Sequence, residues 1–294
     1  MNRTEAPDPV AAPSSGAAAA QGGGRTASQG AASAMKRDRR RTGAVTAVVL
    51  ALVAAHVIAV RETEFSLLAL VEGQEGMARF LSEAFPPDLS WADTVRPALE
   101  ATGITLWIGL LGTTFSIPTS ALLAVWGSRT TAPNALVYQA SRAIMSFFRA
   151  VPDIVFALIF VTAVGLGPFA GVLALICHNT GVMGKLWSEA IEEIDPGPSE
   201  ALRTAGGNRV QIVANATFPQ VSASLLGLLL YRFDVNVRSS LVLGLVGAGG
   251  IGLLINQSIK SFQFDAMLTQ IIVVLVLVIA VDLFSAVVRK RLAL

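Results

Sequence analysis

One cysteine, two histidines and a charged fraction of only 14% set the first limits on this 294-residue chain. Cys177 has no second cysteine to pair with, which excludes an intrachain disulfide and a thiolate metal cluster. His56 and His178 lie far apart on apolar stretches, where histidine is far more often packed or pore-lining than a ligand, so no metal site is expected. Lys and Arg number 22 against 20 Asp and Glu. That near-balance leaves no bulk charge to hold a nucleic acid, and none is expected as a partner. The clustered histidines, cysteines or paired carboxylates of a membrane enzyme are also lacking, and no catalytic residue is expected.

What the chain has instead is hydrophobic sequence: 53% of its residues are apolar, in recurring long runs that exclude an ordinary soluble domain and point to a polytopic membrane protein. Residues 1–34 are the exception. Rich in Ala, Gly, Ser, Pro and Gln, they cannot bury enough surface to offset ordering entropy and read as a disordered tail. The basic run Lys36-Arg37-Asp38-Arg39-Arg40-Arg41 then precedes the charge-free stretch Thr42–Val60. A signal peptide with an extended basic region is the competing reading. The length of the apolar run and the lack of a small-x-small cleavage site favour a first membrane span, with the arginines holding the N-terminus in the cytoplasm.

Residues 61–96 mix Leu67, Leu68, Val71, Met77, Phe80 and Leu81 with Glu72, Glu75, Arg79 and Glu83, the pattern of an amphipathic segment at the outer interface, ended by Pro86-Pro87. Ala101–Ser128 is a second span, with Trp107 and Trp126 near its ends as interfacial anchors and glycines at 103, 109 and 112 for close helix contact. Ile154–Gly184 carries no charge and, at about 1.5 Å per residue, is too long for one crossing of a ~30 Å core. Gly165-Leu166-Gly167-Pro168 supplies the fold-back. Spans are therefore expected at 143–165 and 168–190. Arg149 and Asp153 fall in or near the first, four residues apart, as an intrahelical ion pair or as pathway residues.

Beyond Pro219 an apolar run is interrupted by Arg232, Asp234 and Arg238, then resumes, and breaks again at Gly247-Ala248-Gly249-Gly250-Ile251-Gly252. No Lys-Ser or Lys-Thr follows these glycines and no strand precedes them, so neither a phosphate loop nor a dinucleotide fingerprint is present. Gly247, Gly249, Gly250 and Gly252 are expected to form irregular backbone or a gate, buried among helices or lining a cavity. Arg149, Asp153, Arg232, Asp234 and Arg238 are candidates for the pathway of an anionic substrate, since intramembrane charges are costly. Asp234 and Arg238, four apart, also have the spacing of a simple ion pair. Ala266–Val288 is the last span, closed by Arg289-Lys290-Arg291. The excess of basic residues on one side gives six spans with both termini cytoplasmic.

Between the fourth and fifth spans lies the polar stretch EALRTAGGNRVQIVANATFP, Glu200–Pro219. Pro198 suits the first turn of a short helix, Glu200 its N-terminal end, and Gly206-Gly207 its stop. Asn208 and Gln211 have the spacing of a polar capping box, so a second short helix is expected over 208–215, with Pro219 opening the next span. By pattern alone this is either an ordinary helical loop or a docking element.

Glu200-Ala201, Gly206 six positions after Glu200, and Pro219 resemble the Glu-Ala-Ala loop of permease subunits in ATP-binding-cassette importers. Leu202 stands where the motif has a third small residue, and Ala216 and Phe218 replace its usual apolar pair. Arg149-Ala150-Val151-Pro152-Asp153, Gly165-Leu166-Gly167-Pro168 and the segment from Arg238 through LVLGLVGAGGIG are similar to phosphonate importer permeases over about residues 95–290. The resemblance implies an all-α, polytopic membrane helix bundle of about six transmembrane helices with the ABC importer permease (MetI-like) fold. It also implies a bacterial cytoplasmic-membrane location, a second permease subunit, two ABC ATPases, and an extracytoplasmic binding protein that delivers phosphonate or a phosphite-like oxyanion. ATP and Mg would sit on the partner ATPase, no cofactor on this chain, and lipid around the spans. Glu200, Ala201, Leu202, Gly206, Asn208 and Pro219 would couple to the ATPase. On this reading residues 1–41 are a cytoplasmic basic tail, 42–97 the first span with its external segment, and 98–294 the permease domain with a coupling loop at 191–218. The reading from a different class is an ATPase-independent secondary transporter or channel with intramembrane Asp and Arg as an ion relay.

Overall fold

The computed structural model describes residues 42, 43 and 45–291. The tail and the Lys36–Arg41 run lie outside the described residues. The chain divides into two compact units, up to Gln74 and from Glu75 onward, a boundary inside the expected 42–97 segment. In the first unit, helix α1 (Val45–Glu62) is long and apolar enough to cross a membrane and is unburied throughout. The Nδ1 of His56 lies 2.8 Å from the Leu52 carbonyl of its own helix. A short helix, α2 (Leu68–Glu72), follows.

The second unit is helical: α3 (Gln74–Ala84), a π-turn at Trp91–Val95, α4 (Arg96–Trp126), α5 (Ala135–Ala150), α6 (Asp153–Val164), α7 (Pro168–Glu192), α8 (Gly197–Thr204), α9 (Arg209–Ile212), a π-turn at Val213–Thr217, α10 (Phe218–Leu245), α11 (Ile251–Lys260) and α12 (Phe264–Arg291). Among the described residues, five helical segments are long and apolar enough to span, and the bent pair α5 and α6 makes up to a sixth. The amphipathic segment expected before Pro86 is α3, whose Phe80 ring meets Phe264 of α12 edge-on at 5.0 Å.

α4 and α7 form the spine. α10 lies against both, α5 and α6 flank α7, and α11 and α12 close over α10 and α4. The spine is close-packed because Gly112 has no side chain: a Cβ there would sit 2.5 Å from the Cβ of Leu175 on α7. Small residues at such crossings let helices pack by dispersion where lipid supplies no hydrophobic drive between them.

Three expectations on spans are corrected. The stretch 143–165 is not one helix: α5 and α6 meet at 83°, because Pro152 excludes the helical region for the residue before it and Val151 is extended. Arg149 and Asp153 therefore sit on different helices and form no intrahelical pair. The helix expected to start at Ala101 begins at Arg96, with an Arg96–Glu100 ion pair at 2.8 Å, which leaves Trp107 well inside α4 rather than at its end. Nor does Pro219 separate a second short helix from the next span. The run Arg209–Leu245 is continuous in length, passing through the Val213–Thr217 π-turn. The wider turn accommodates a proline that has no N–H to donate and whose ring crowds the preceding turn.

At the other end of the bundle the loop before α4 is pinned to α12. Thr269 donates to the Asp88 carbonyl at 2.7 Å, and the Asp88 N–H donates to Asp265 O at 3.3 Å. The Asp88 carboxylate accepts from the Thr94 hydroxyl, from Ser90 N–H at 2.9 Å and from Ser90 Oγ at 2.8 Å.

Two outcomes follow for stability. Gly112→Val, which drives a side chain into Leu175, is expected to cost about 1–3 kcal/mol and lower the thermal unfolding temperature in detergent. Gly103→Val, at a site with open space around it, is the control and should change little. The Thr94 hydroxyl first, and Ser90 second, hold the Asp88 carboxyl below the usual aspartate range. The unfolded chain then binds that proton more readily. The stability from this turn is complete above the ordinary aspartate value and is lost as pH falls through the lowered one. Asp88→Asn should flatten the acid limb of a plot of unfolding temperature against pH.

Candidate functional site

Two places stand out in the second unit: a polar two-helix element between α7 and α10, and a buried polar cluster where α4, α7 and α10 meet.

The two-helix element is built by caps. The Glu200 N–H bonds Pro196 O at 2.9 Å, and its exposed carboxylate lies in the first turn of α8, where the helix dipole favours it. Ala201 is exposed beside it and Leu202 is half-buried. α8 stops as expected: Gly206 has φ +86°, a left-handed conformation that a side chain resists. Gly206 N–H returns to Arg203 O at 3.1 Å and Gly207 N–H to Leu202 O at 2.9 Å. The capping box is present. Asn208 Oδ1 accepts from Gln211 N–H at 2.9 Å, and Gln211 Oε1 accepts from Asn208 N–H at 2.8 Å. The base is tied down by Glu192, which pairs with Arg142 at 2.8 Å and accepts from the Arg129 backbone N–H at 2.8 Å. The Arg142 guanidinium lies over the Tyr138 ring, 5.2 Å from its centroid. Arg142 was not singled out in the sequence, since nothing local marks a contact fifty residues away.

In the buried cluster Arg232 is 7% exposed. Its Nη2 donates to Asn179 Oδ1 at 2.6 Å and to Asn236 Oδ1 at 3.2 Å. Asn236 Nδ2 passes the chain on to Thr113 Oγ1 at 2.7 Å, and Thr113 donates to Gly109 O at 2.6 Å. The acceptors that hold Arg232 are neutral amides, and no carboxylate pairs with it among the described residues. Its Nε is buried without a partner. Such a cation keeps its full charge and unspent donors, which a planar, multidentate guanidinium can offer to an oxyanion.

The other expected pathway residues divide around it. Asp153, at the start of α6, accepts from its neighbour Ile154 N–H at 2.9 Å and is close enough to act electrostatically on both His178 and Arg232. His178 Nδ1 lies 3.2 Å from the Val151 carbonyl, at the corner between α5 and α6. Arg149 is exposed at the end of α5. Arg238 pairs with Asp234 along α10, with the arginine half exposed and the carboxylate buried. Asp153 and His178 thus lie within electrostatic range of Arg232, whereas Arg149 is exposed and Arg238 is paired with Asp234. Asn179, Asn236 and Thr113 were missed. The available signal was an asparagine in each of two apolar runs, one of them four residues from Arg232.

The glycine segment after α10 is irregular and buried, with positive φ at Gly247, Gly249 and Gly250. Gly252 lies in the first turn of α11 instead, with space for a Cβ closed off by the backbone of Gly244. The segment meets the other glycine turn: Gly167 N–H donates to Gly247 O at 3.0 Å, and Ile251 N–H to Thr105 Oγ1 at 2.9 Å.

Comparisons with known proteins agree with this architecture. Residues 116–294 match the family model described as binding-protein-dependent transport system inner membrane component. HtxC of Stutzerimonas stutzeri, which carries the name of a phosphite transport system permease, is 40% identical over 254 residues, 85% of this chain and 88% of its own. PhnE of Mycolicibacterium smegmatis, named a phosphate-import permease protein, is 37% identical over 77% of this chain and 42% of its own. PhnE2 of Escherichia coli K12, named for a cryptic phosphonate transport system, is 44% identical over 40% of this chain and 98% of its own. Among solved structures, an inward-facing MetNI methionine ABC transporter matches with TM-score 0.56 and 24% identity, over 68% of this chain and 95% of that one, a likeness of fold.

The cluster gives an asymmetric expectation for stability. Asn179→Ala strips the buried Arg232 of its shortest acceptor and should cost about 1–3 kcal/mol. Arg232→Met removes the donor of two buried amide oxygens, those of Asn179 and Asn236, and should cost at least as much. Thermal unfolding of both variants in detergent checks the order.

Proposed function

The chain belongs to the family of binding-protein-dependent transport system inner membrane components, and from that premise we propose that it is the permease subunit of an ATP-driven importer for a phosphorus oxyanion, phosphonate or phosphite in the first instance. Such a subunit is not itself the hydrolytic enzyme. ATP and Mg belong to two partner ATPases, a second permease completes the pathway, and an extracytoplasmic binding protein delivers the solute. Both chain termini and the α8–α9 element then face the cytoplasm. The names of relatives at 37–44% identity support the substrate class.

The observation that carries the mechanism is continuity from the coupling element to the buried arginine. The capping box at Asn208 starts a helical run that passes the π-turn and continues to Leu245. At ~1.5 Å per residue, Arg232 sits roughly 35 Å along this lever. An ATPase that grips Glu200, Ala201 and Leu202 and moves the Gly206 elbow therefore moves Arg232 and Asn236 against Asn179 and Thr113. In the resting arrangement the amides hold the guanidinium without neutralising it. When the helices shift, its donors are released to a mono- or dianionic oxyanion, with Asp153 and His178 within electrostatic range. The site can remain weak, because the external receptor does the concentrating.

Glu200→Ala, and independently Gly206→Pro, should leave the protein assembled in the membrane and uncouple ATP hydrolysis from uptake in proteoliposomes. Arg232→Gln should abolish uptake while ATPase assembly persists. Transport that continues unchanged in Glu200→Ala would instead favour a secondary transporter or channel.

A further inference from the structure

Two of the long helices present opposite kinds of surface. Over its middle, α12 is exposed through Ile271, Ile272, Leu275, Val276, Ile279 and Ala280, an apolar face that hydrocarbon suits. On α10 the exposed residues Gln220, Ser224, Tyr231, Arg238 and Val242 stand four or seven positions apart, which puts them on one stripe of the helix. All of these but Val242 carry polar groups. An open hollow of about 310 Å³ lies against Val235, Arg238, Ser239 and Val242, all of them on α10. Its lining comes from a single helix, so among the described residues it has no opposing wall.

Arg238 is level with charge-free sequence on the neighbouring span. Its neighbour Val237 lies over Gly109 of α4, where a Cβ would come within 2.9 Å of Val237 Cγ2, and Ser240 Oγ donates to Thr105 O at 3.0 Å. Gly109 stands ~13 Å along α4 from Glu100, and no charged residue follows it before Arg129. The ion pair between Arg238 and Asp234 is lopsided: the carboxylate side chain is 6% exposed and the guanidinium side chain 53%. Nη2 of Arg238 donates to Asp234, while Nε and Nη1 have no partner among the described residues. Asp234 therefore anchors the arginine from within the bundle and leaves it donors on the exposed side.

We infer that Arg238 is a specificity-determining residue for the oxyanion: the α10 stripe walls a water-filled path closed on its far side by the second permease subunit, and Asp234 positions the Arg238 guanidinium in it. The inference deepens the importer reading above and rests on it. Lipid against the stripe would place a half-exposed guanidinium in hydrocarbon, and a dry protein contact would bury it with donors unspent. Both are costly, whereas intramembrane arginines face the bundle interior or a water-filled cavity. Free N–H groups on a planar guanidinium offer an oxyanion a charge-assisted contact at two points. Arg238 and Arg232 then have separate parts in the transfer. Arg238 lies ~9 Å nearer the Leu245 end of α10 and is exposed where Arg232 is buried. With the two-helix element in the cytoplasm, an entering solute meets Arg238 first, in the resting arrangement, and Arg232 only when the helices shift.

Introduced cysteines test the wall in proteoliposomes of the full complex, with Cys177, the chain's one cysteine, changed to Ala. Val242→Cys should react with water-soluble methanethiosulfonates, and Ile279→Cys on α12 should not. Relative to their rates with a free thiol, the anionic sulfonatoethyl reagent should outpace the cationic trimethylammonium reagent at Val242→Cys about five- to tenfold, the preference that one unit charge ~6 Å away gives between opposite signs. Arg238→Gln should remove that preference and Arg238→Lys should keep it. Phosphite uptake separates this role from simple pairing. The double variant Asp234→Asn/Arg238→Gln removes both charges and leaves no unpaired carboxylate behind, so a purely structural pair predicts near-normal uptake. A pathway cation predicts uptake still reduced about tenfold. An inert Val242→Cys, which would give the stripe to lipid, equal corrected rates for the two reagents, or full uptake in the double variant would each overturn the inference. If one of these occurs while Glu200→Ala still uncouples ATP hydrolysis, the role of Arg238 falls and the importer stands. If the charge preference holds and Glu200→Ala changes nothing, the importer falls and the anion path along α10 stands.

Discussion

Irregular backbone at membrane depth is permitted only where its polar groups find partners within the protein, and the second unit meets that constraint by setting one glycine turn against another. Gly167 N–H reaches Gly247 O, and the next free donor, Ile251 N–H, reaches the Thr105 hydroxyl on α4. Without these bonds each break would leave buried N–H and C=O groups unpaired, at several kcal/mol apiece in a hydrocarbon setting. The turns can approach because they carry no bulk: a Cβ on Gly249 would lie 2.9 Å from Pro168. The junction fixes the ends of α6, α7, α10 and α11 together, and the small-residue contacts between α4 and α7 extend that order along the bundle.

From this fixed end α10 runs to the opposite face of the unit, and its length joins the buried Arg232 network to the capped two-helix element. Its buried middle holds the Arg232 network, in which neutral amides orient a cation without discharging it. Its far end continues through a π-turn into α9 and the capping box. π-turns within helices recur at functional sites because a widened turn shifts the register of the helix face beyond it. Here it lets Pro219 sit inside a continuous helical run from Arg209 to Leu245 rather than after a loop. The broken pair α5 and α6 adds a second irregularity, and its corner carbonyl at Val151 lies 3.2 Å from His178 Nδ1.

Much of the two-helix element between α7 and α10 was legible because it is governed by local rules. A proline in the first turn, a glycine at the stop and an Asn/Gln pair three apart act within a few residues, and the φ of Gly206 and both bonds of the capping box follow from them. The glycine breaks were legible for the same reason, as was the pairing of Asp234 with Arg238 at one helical turn. Longer-range features were not. Charge-free sequence from Ile154 concealed the corner at Val151, since Arg149 and Asp153 have helical spacing whichever way the chain turns. Pro219 marked a helix start by its chemistry, but whether the preceding segment joined it depended on a π-turn that no residue pattern announces.

The sequence by itself determined the class of the protein, a helical membrane bundle with a polar, capped element between spans, because composition, run length and caps are properties of neighbouring residues. Only the tertiary structure decided which intramembrane charges are buried and which are paired. Among Arg149, Asp153, Arg232, Asp234 and Arg238 the chain order offers no ranking, whereas packing buries Arg232 among Asn179, Asn236 and Thr113, pairs Arg238 along its helix and leaves Arg149 exposed. A charge acquires a role in a membrane from what desolvates it and what fails to neutralise it. Both are set by helices that meet in space from distant parts of the chain.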